Sequence, residues 1–138
     1  MTATIGHRFP ETEFYLDPCR VEEFELALGI EPEPNWTPQA GASVPPGFFM
    51  YVTTYGAEPV HEVLGFDPMR TLYGGTAVEY FRPVHVGDRL TVRPHISDVR
   101  IKDGRSGRLT FVDITTEYFT ADGQLAVRER STILERGA

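Results

Sequence analysis

The sequence predicts an α+β fold in a single domain spanning residues 1–138, with a buried helix covered by an antiparallel sheet. Three observations carry this expectation. The stretch Gly47–Leu64 is apolar on most sides (Phe48, Phe49, Met50, Tyr51, Val52, Tyr55, Val60, Val63, Leu64), the mark of a buried helix. After Pro68 the pattern changes to partial alternation rich in β-branched and aromatic residues, over Thr71–Arg82, Arg89–Lys102, Arg108–Thr120 and Gln124–Glu135. Turn formers separate these four segments: Val86-Gly87-Asp88, Lys102-Asp103-Gly104 and Ala121-Asp122-Gly123. Asp-Gly pairs are strong hairpin signals, because glycine accepts the positive φ of a tight primed turn. Hairpin-linked strands in a meander must bury one face, and the apolar helix is the available cover.

The elements follow in order. Asp17-Pro18 starts a first helix, since Asp can cap free N–H groups and Pro fits the first helical position. Val21, Phe24, Ala27 and Leu28 share one face of it, Glu22, Glu23 and Glu25 face water, and Gly29 ends it. From Ile30 to Pro46 the prolines Pro32, Pro34, Pro38, Pro45 and Pro46 impose an irregular excursion. Gly56 and Pro59 break or kink the central helix. In the third strand Val112, Ile114, Thr116 and Tyr118 lie on one face.

Thirteen basic against twenty acidic residues give a net charge of −7, so no nucleic-acid partner is expected. No run approaches the roughly 18 apolar residues that cross a bilayer, and Met1–Pro10 has no apolar stretch of the secretory kind. Cys19 is the one cysteine, without a disulfide or metal-cluster partner. A cytoplasmic protein with no membrane association and no bound metal is the expectation.

Several stretches carry a family resemblance: Ile5–Pro10, Phe24–Gly29, Val44–Phe49, Glu79–Leu90 and Thr115–Tyr118. Within them, Arg82-Pro83 followed by Gly87-Asp88 and Leu90 is the most telling element. In this order and over nearly the whole chain, they resemble the MaoC-like dehydratases of the hot-dog superfamily. The narrower resemblance is to the N-terminal-half type, which includes the non-catalytic subunit of a (3R)-hydroxyacyl-ACP dehydratase. The resemblance implies a hot-dog fold, dimeric assembly, and an acyl thioester of coenzyme A or acyl carrier protein in a tunnel between two domains. It implies hydration of an enoyl thioester, or the reverse dehydration, without a cofactor. Catalytic relatives carry an Asp-x-x-x-x-His pair before the central helix, which holds and activates water by acid–base action. The corresponding stretch here, Glu31–Ala40, contains neither Asp nor His.

The residues that could bear function divide into three groups. For catalysis the sequence offers none by motif, and only His61, Glu62 and Asp67 as weak substitutes near the end of the central helix. Solvated side chains are the plainer account of all three. His7, in the first few residues, is expected to be mobile, and His85 and His95 are expected at the surface. For substrate binding, the tunnel wall is expected from Pro46, Phe48, Phe49, Tyr51, Val52 and Tyr55, with Tyr73, Gly74, Gly75 and Thr76 at the start of the first long strand. Core packing is the default for the aromatic residues, and a bulge explains the two glycines nearly as well as a ligand. Arg100, Lys102, Arg105 and Arg108 gather at one hairpin. They are either a solvated turn or a contact for the thioester carrier's phosphates, which suit the planar guanidinium.

Three functions follow from these residues. In the first, the chain is the tunnel-forming, non-catalytic subunit of a heteromeric hydratase or dehydratase whose partner hot-dog chain supplies Asp-x-x-x-x-His. In the second it is a homodimeric acyl-thioester-binding or scaffold protein. In the third it is a thioesterase using a carboxylate such as Glu62.

Overall fold

The computed structural model describes residues 4–30, 44–45, 47–49 and 60–137. Five antiparallel strands form one sheet, joined by two described helices: β1 (Thr12–Tyr15), α1 (Pro18–Ala27), α2 (Val60–Leu64), β2 (Thr71–Tyr80), β3 (Arg89–Gly104), β4 (Gly107–Phe119) and β5 (Leu125–Arg136). Their spatial order is β1-β3-β4-β5-β2. The α+β expectation is met, and all four predicted strands are present.

The order corrects two expectations. Only β3–β4–β5 form a meander; β2 pairs with β5, Val78 lying opposite Glu129, and does not touch β3. The link from β2 to β3 is no tight turn, because Val84 and Val86 bury themselves in the core. The free edge of β3 is taken instead by the N-terminal segment, which the sequence did not mark as a strand. Gly6 and Phe9 donate to the carbonyls of Ile96 and Pro94 at 2.8 and 3.0 Å, and β1 then pairs Phe14 with Leu90. The β3–β4 hairpin also runs further than its Asp103-Gly104 pair suggests. Its ladder continues to Gly104 opposite Gly107, leaving Arg105-Ser106 at the tip and the positive φ, 110°, on Gly107.

Helix α1 begins as its residues dictate: Asp17 accepts the Cys19 N–H at 2.8 Å, Pro18 is its first residue, and Gly29 beyond it has a φ of 77°. Its apolar face is shorter than expected. Val21 is buried and Phe24 packs edge-on against Phe48 at 5.7 Å, but Ala27 and Leu28 are exposed, so only the first turns reach the core.

One face of the sheet carries the core. Val112, Ile114, Thr116 and Tyr118 all point into it, as the period-two pattern requires. Phe48 and Phe49, at the start of the apolar stretch, are helical and fully buried. Phe49 meets Tyr118 edge-to-face at 4.8 Å, and Phe48 meets Phe14 at 6.3 Å. At its other end the stretch returns as α2, whose Leu64 packs with Phe66, Ile96, Val112 and Ile114. Residues 50–59, the middle of the expected central helix with its break at Gly56 and Pro59, lie outside the described residues, as does the loop 31–43. No helix among the described residues is long and apolar enough to cross a membrane.

Truncating Phe49 to Ala would leave a cavity against Tyr118. A loss of about 3–5 kcal/mol is expected, read as a lowered midpoint in urea unfolding with an unchanged slope.

Candidate functional site

Strand alternation puts Val127, Glu129, Ser131 and Ile133 of β5 in the same phase, on the core face. Glu129 is therefore driven into apolar surroundings, and only 1 % of it is exposed. Its two oxygens meet hydroxyls: Ser131 Oγ lies 2.8 Å from Oε1, and the Tyr118 hydroxyl donates to Oε2 at 3.3 Å. Ser131 in turn lies 3.0 Å from Thr76 Oγ1 on β2. Four polar side chains thus run in a line from the edge strand to the middle of the sheet. Phe49 covers the line from above, 4.8 Å from the Tyr118 ring and 6.0 Å from Tyr80.

Desolvation governs the electrostatics of this cluster. Burial pushes the Glu129 carboxyl above the ordinary glutamate range, and its hydrogen bonds from Ser131 and Tyr118 offset this only in part. Burial likewise raises the Tyr118 phenol far above its usual value, and the nearby Glu129 adds to the effect. Tyr80 shifts upward for the same two reasons. The arrangement can donate and accept hydrogen bonds, but it pairs the acid with phenol and alcohols instead of with an imidazole.

The opposite face holds a second buried acid. Asp113 is 6 % exposed and is gripped by Arg100, whose Nη1 and Nη2 lie 2.7 and 3.2 Å from its two oxygens, while Thr132 donates to it at 2.7 Å. The Arg100 guanidinium holds the Asp113 carboxyl below its ordinary range. Arg100 also binds Asp98 at 2.5 Å, so its charge is already matched by two carboxylates. Of the cations expected to meet a phosphate, Lys102 lies over the Phe111 ring at 5.6 Å, and Arg105 and Arg108 are exposed at the hairpin end.

The weak catalytic candidates do not come together. His61 and Glu62 are neighbours on α2, both exposed, 4.0 Å apart. Asp67 organises the following turn: it accepts the Met69 N–H at 2.9 Å, pairs with Arg70 at 3.1 Å, and its own N–H donates to Glu135. His85 belongs to the turn before β3, where its N–H donates to Asp88 at 2.8 Å. His7 packs on the Phe9 ring at 5.2 Å. His95 is half-buried on β3, not fully at the surface as expected. Among the described residues no three His, Cys, Asp or Glu side chains are grouped to hold a metal.

Of the expected tunnel wall, Phe48 and Phe49 are core residues, whereas Tyr73 is 59 % exposed on the edge strand. Gly75 sits at a bulge in the β2–β5 pairing, with a φ of 140°, and a Cβ on Gly74 would come within 3.2 Å of the Thr132 carbonyl. Close approach of β5 thus accounts for Gly74, and the positive φ at the bulge for Gly75. Pro46, Tyr51, Val52 and Tyr55 lie outside the described residues, as does the Glu31–Ala40 stretch. Thr76 was expected in the tunnel wall beside Gly75, and the structure bonds it to Ser131 instead; Glu129 and Ser131 were not singled out from the sequence. Arg128 and Arg130 flank Glu129 in the sequence, although phase with Val127 and Ile133 turns it inward.

Comparison with known proteins places this geometry. The family model described as FAS1-like, dehydratase domain region, matches residues 3–129. A UPF0336 protein of Streptomyces avermitilis is 30% identical over 145 residues, covering 97% of this chain and 93% of its own. Among solved structures, the C-terminally truncated HadBC (3R-hydroxyacyl-ACP dehydratase) complex of Mycobacterium tuberculosis superimposes with a TM-score of 0.66 at 17% identity, covering 91% of this chain and 92% of the other. The ChsH1-ChsH2 complex of the same organism gives 0.70 at 13% identity, covering 95% and 86%. The fold is the hot-dog fold of these neighbours.

Asp113 supports folding above the ordinary aspartate range, where it is charged in both states. That support is lost as pH falls toward its lower folded value, since the unfolded chain takes up the proton first. Between about pH 6 and about pH 3, the thermal midpoint of Asp113→Asn should fall less steeply than that of the wild-type chain.

Proposed function

Because the chain belongs to the family of FAS1-like dehydratase domain regions, we propose that it is the non-catalytic, tunnel-forming subunit of a heteromeric MaoC-like hydratase or dehydratase. The observation that carries this reading is the placement of the four histidines. All lie among the described residues, and none meets a described carboxylate brought from another element: His61 faces its neighbour Glu62, and His85 the Asp88 of its own turn. Acid–base activation of water needs such a pair within hydrogen-bond reach of one site. The Glu31–Ala40 stretch lacks both residue types by sequence. A partner hot-dog chain bearing Asp-x-x-x-x-His would supply them.

The sheet edges support where that partner docks. β1 and the segment from Gly6 to Phe9 cover the β3 edge along Arg89–Ile96, whereas among the described residues the outer edge of β2 is unpaired over its ten residues. Leu72, Tyr73, Tyr80 and Phe81 are exposed along or just beyond it. A long edge with exposed apolar side chains is a template for strand addition. An acyl thioester of coenzyme A or carrier protein would lie between the two chains, with Lys102, Arg105 and Arg108 available to phosphates, and the complex would act in the cytoplasm without a cofactor.

The test mixes the purified chain with a hot-dog chain carrying the Asp-x-x-x-x-His pair and follows enoyl-thioester hydration. Activity about a hundredfold or more above either chain alone is expected. Hydration by this chain unaided would overturn the assignment. The exposed His61–Glu62 contact is the one observation favouring a thioesterase. Glu62→Gln should leave hydration by the mixture unchanged, whereas loss of a thioester hydrolysis shown by the chain alone would favour that second function.

A further inference from the structure

The line Thr76–Ser131–Glu129–Tyr118 has no part in the function proposed above, yet it is costly. A carboxyl has been placed on the apolar face of the sheet, where Val127 on its own strand, Val78 opposite it on β2 and Phe49 above the neighbouring rings surround it. Among the described residues, the polar or titratable groups that face it are Ser131 on β5, Thr116 and Tyr118 on β4, and Thr76 and Tyr80 on β2. None of these is a cation. Arg128, next in sequence, points to the other face, where it binds Glu117 at 3.1 Å.

The hydroxyl geometry accommodates two proton arrangements. With Glu129 neutral, its acid O–H donates to Ser131 Oγ and Ser131 donates to Thr76, so every group in the line has a partner. With Glu129 ionised, Ser131 must turn its proton toward the carboxylate, and Thr76 must give its own to Ser131; the distances of 2.8 and 3.0 Å fit either sense. The second arrangement also leaves an uncompensated charge in an apolar interior. Thr76 and Ser131 are partners in the β2–β5 ladder, and this side-chain bond is a tie from β2 to the core just after the bulge at Tyr73/Gly75.

We propose that Glu129 is a proton-operated latch for the edge strand: neutral, it leaves the core side of β2 dry and held through Ser131 and Thr76, and on losing its proton its uncompensated charge draws water in beside them and loosens that strand. Rising pH therefore weakens the attachment of β2. Assembly through the β2 edge weakens with it, a consequence that rests on the docking reading of the preceding subsection.

The sign follows from the raised folded value. The native state keeps the Glu129 proton after the unfolded chain has lost it, so the contribution to stability is complete below the ordinary glutamate range. It is lost as pH rises through the folded value. The full-length chain, Glu129→Gln and Thr76→Val are compared between about pH 5 and about pH 9. The readouts are thermal unfolding, backbone hydrogen exchange of residues 71–80 corrected for intrinsic rates, and sedimentation.

In the wild-type chain the protection of β2 amides should fall with pH by up to about tenfold per unit, and more than that of β4. Glu129→Gln, which keeps the shape and the hydrogen bonds, should be flat over this range. Thr76→Val should expose β2 to exchange at every pH without a further pH response. Equal slopes in wild type and Glu129→Gln, or a slope shared evenly by β2 and β4, would overturn the latch. Should Glu129→Gln fail to fold, carboxyl-carbon NMR of the wild type decides: titration of Glu129 in the ordinary glutamate range sinks the idea. A chain monomeric at all pH values, with or without the hot-dog partner, would overturn the docking reading while the exchange slopes still judge the latch.

Discussion

The edge-to-face contact between Phe49 and Tyr118 is where the two halves of the sequence meet. It joins the start of the apolar stretch to the central strand of the sheet, and it does so with a residue that carries a hydroxyl. Once Phe49 excludes water from that ring, the Tyr118 hydroxyl must find a partner inside the protein. Glu129 is that partner, and excluding water from Tyr118 also excludes it from the acid. The raised values of both groups, the chain of hydroxyls leading to β2 and the lack of a proton-transfer couple at this place descend from one packing decision.

The second constraint is the inequality of the two sheet edges. The N-terminal segment bonds along β3, so that edge is covered from Arg89 to Ile96. Among the described residues β2 has no strand on its outer edge, and the bulge at Tyr73/Gly75 brings Tyr73 and Tyr80 to one face with Leu72 on the other. Solved neighbours of this fold include two-chain complexes by name, HadBC and ChsH1-ChsH2. A sheet with one edge partly covered and the other without a described neighbour is suited to such pairing.

The sequence disclosed the strands and the first helix because their signals are local: alternation, Asp-Gly pairs, and an Asp-Pro cap. β1 was hidden because four residues, Thr12–Tyr15, are too few to show a period, and their pairing with β3 joins positions far apart in the chain. The pairing of β2 with β5 was hidden for a related reason. A tight-turn motif at Val86-Gly87-Asp88 predicts local pairing, whereas burial of Val84 and Val86 decided for a crossing. At the site, absence was legible and presence was not. A missing Asp–His pair can be read along a line of text. Glu129 looks solvated between two arginines until the phase of Val127 and Ile133 is given more weight than charge. The cation cluster was over-read in one member, since Arg100 spends its charge on Asp98 and Asp113 across the strand pair.

The ribbon from Gly6 to Tyr15 has one more effect. A sheet open at both margins can recruit copy after copy, and its growth ends only in a filament. Here the chain's own N-terminal residues already cover Arg89–Ile96 of β3. Along that length the backbone groups have their partners within the same molecule, so a second copy finds no free ladder to extend there.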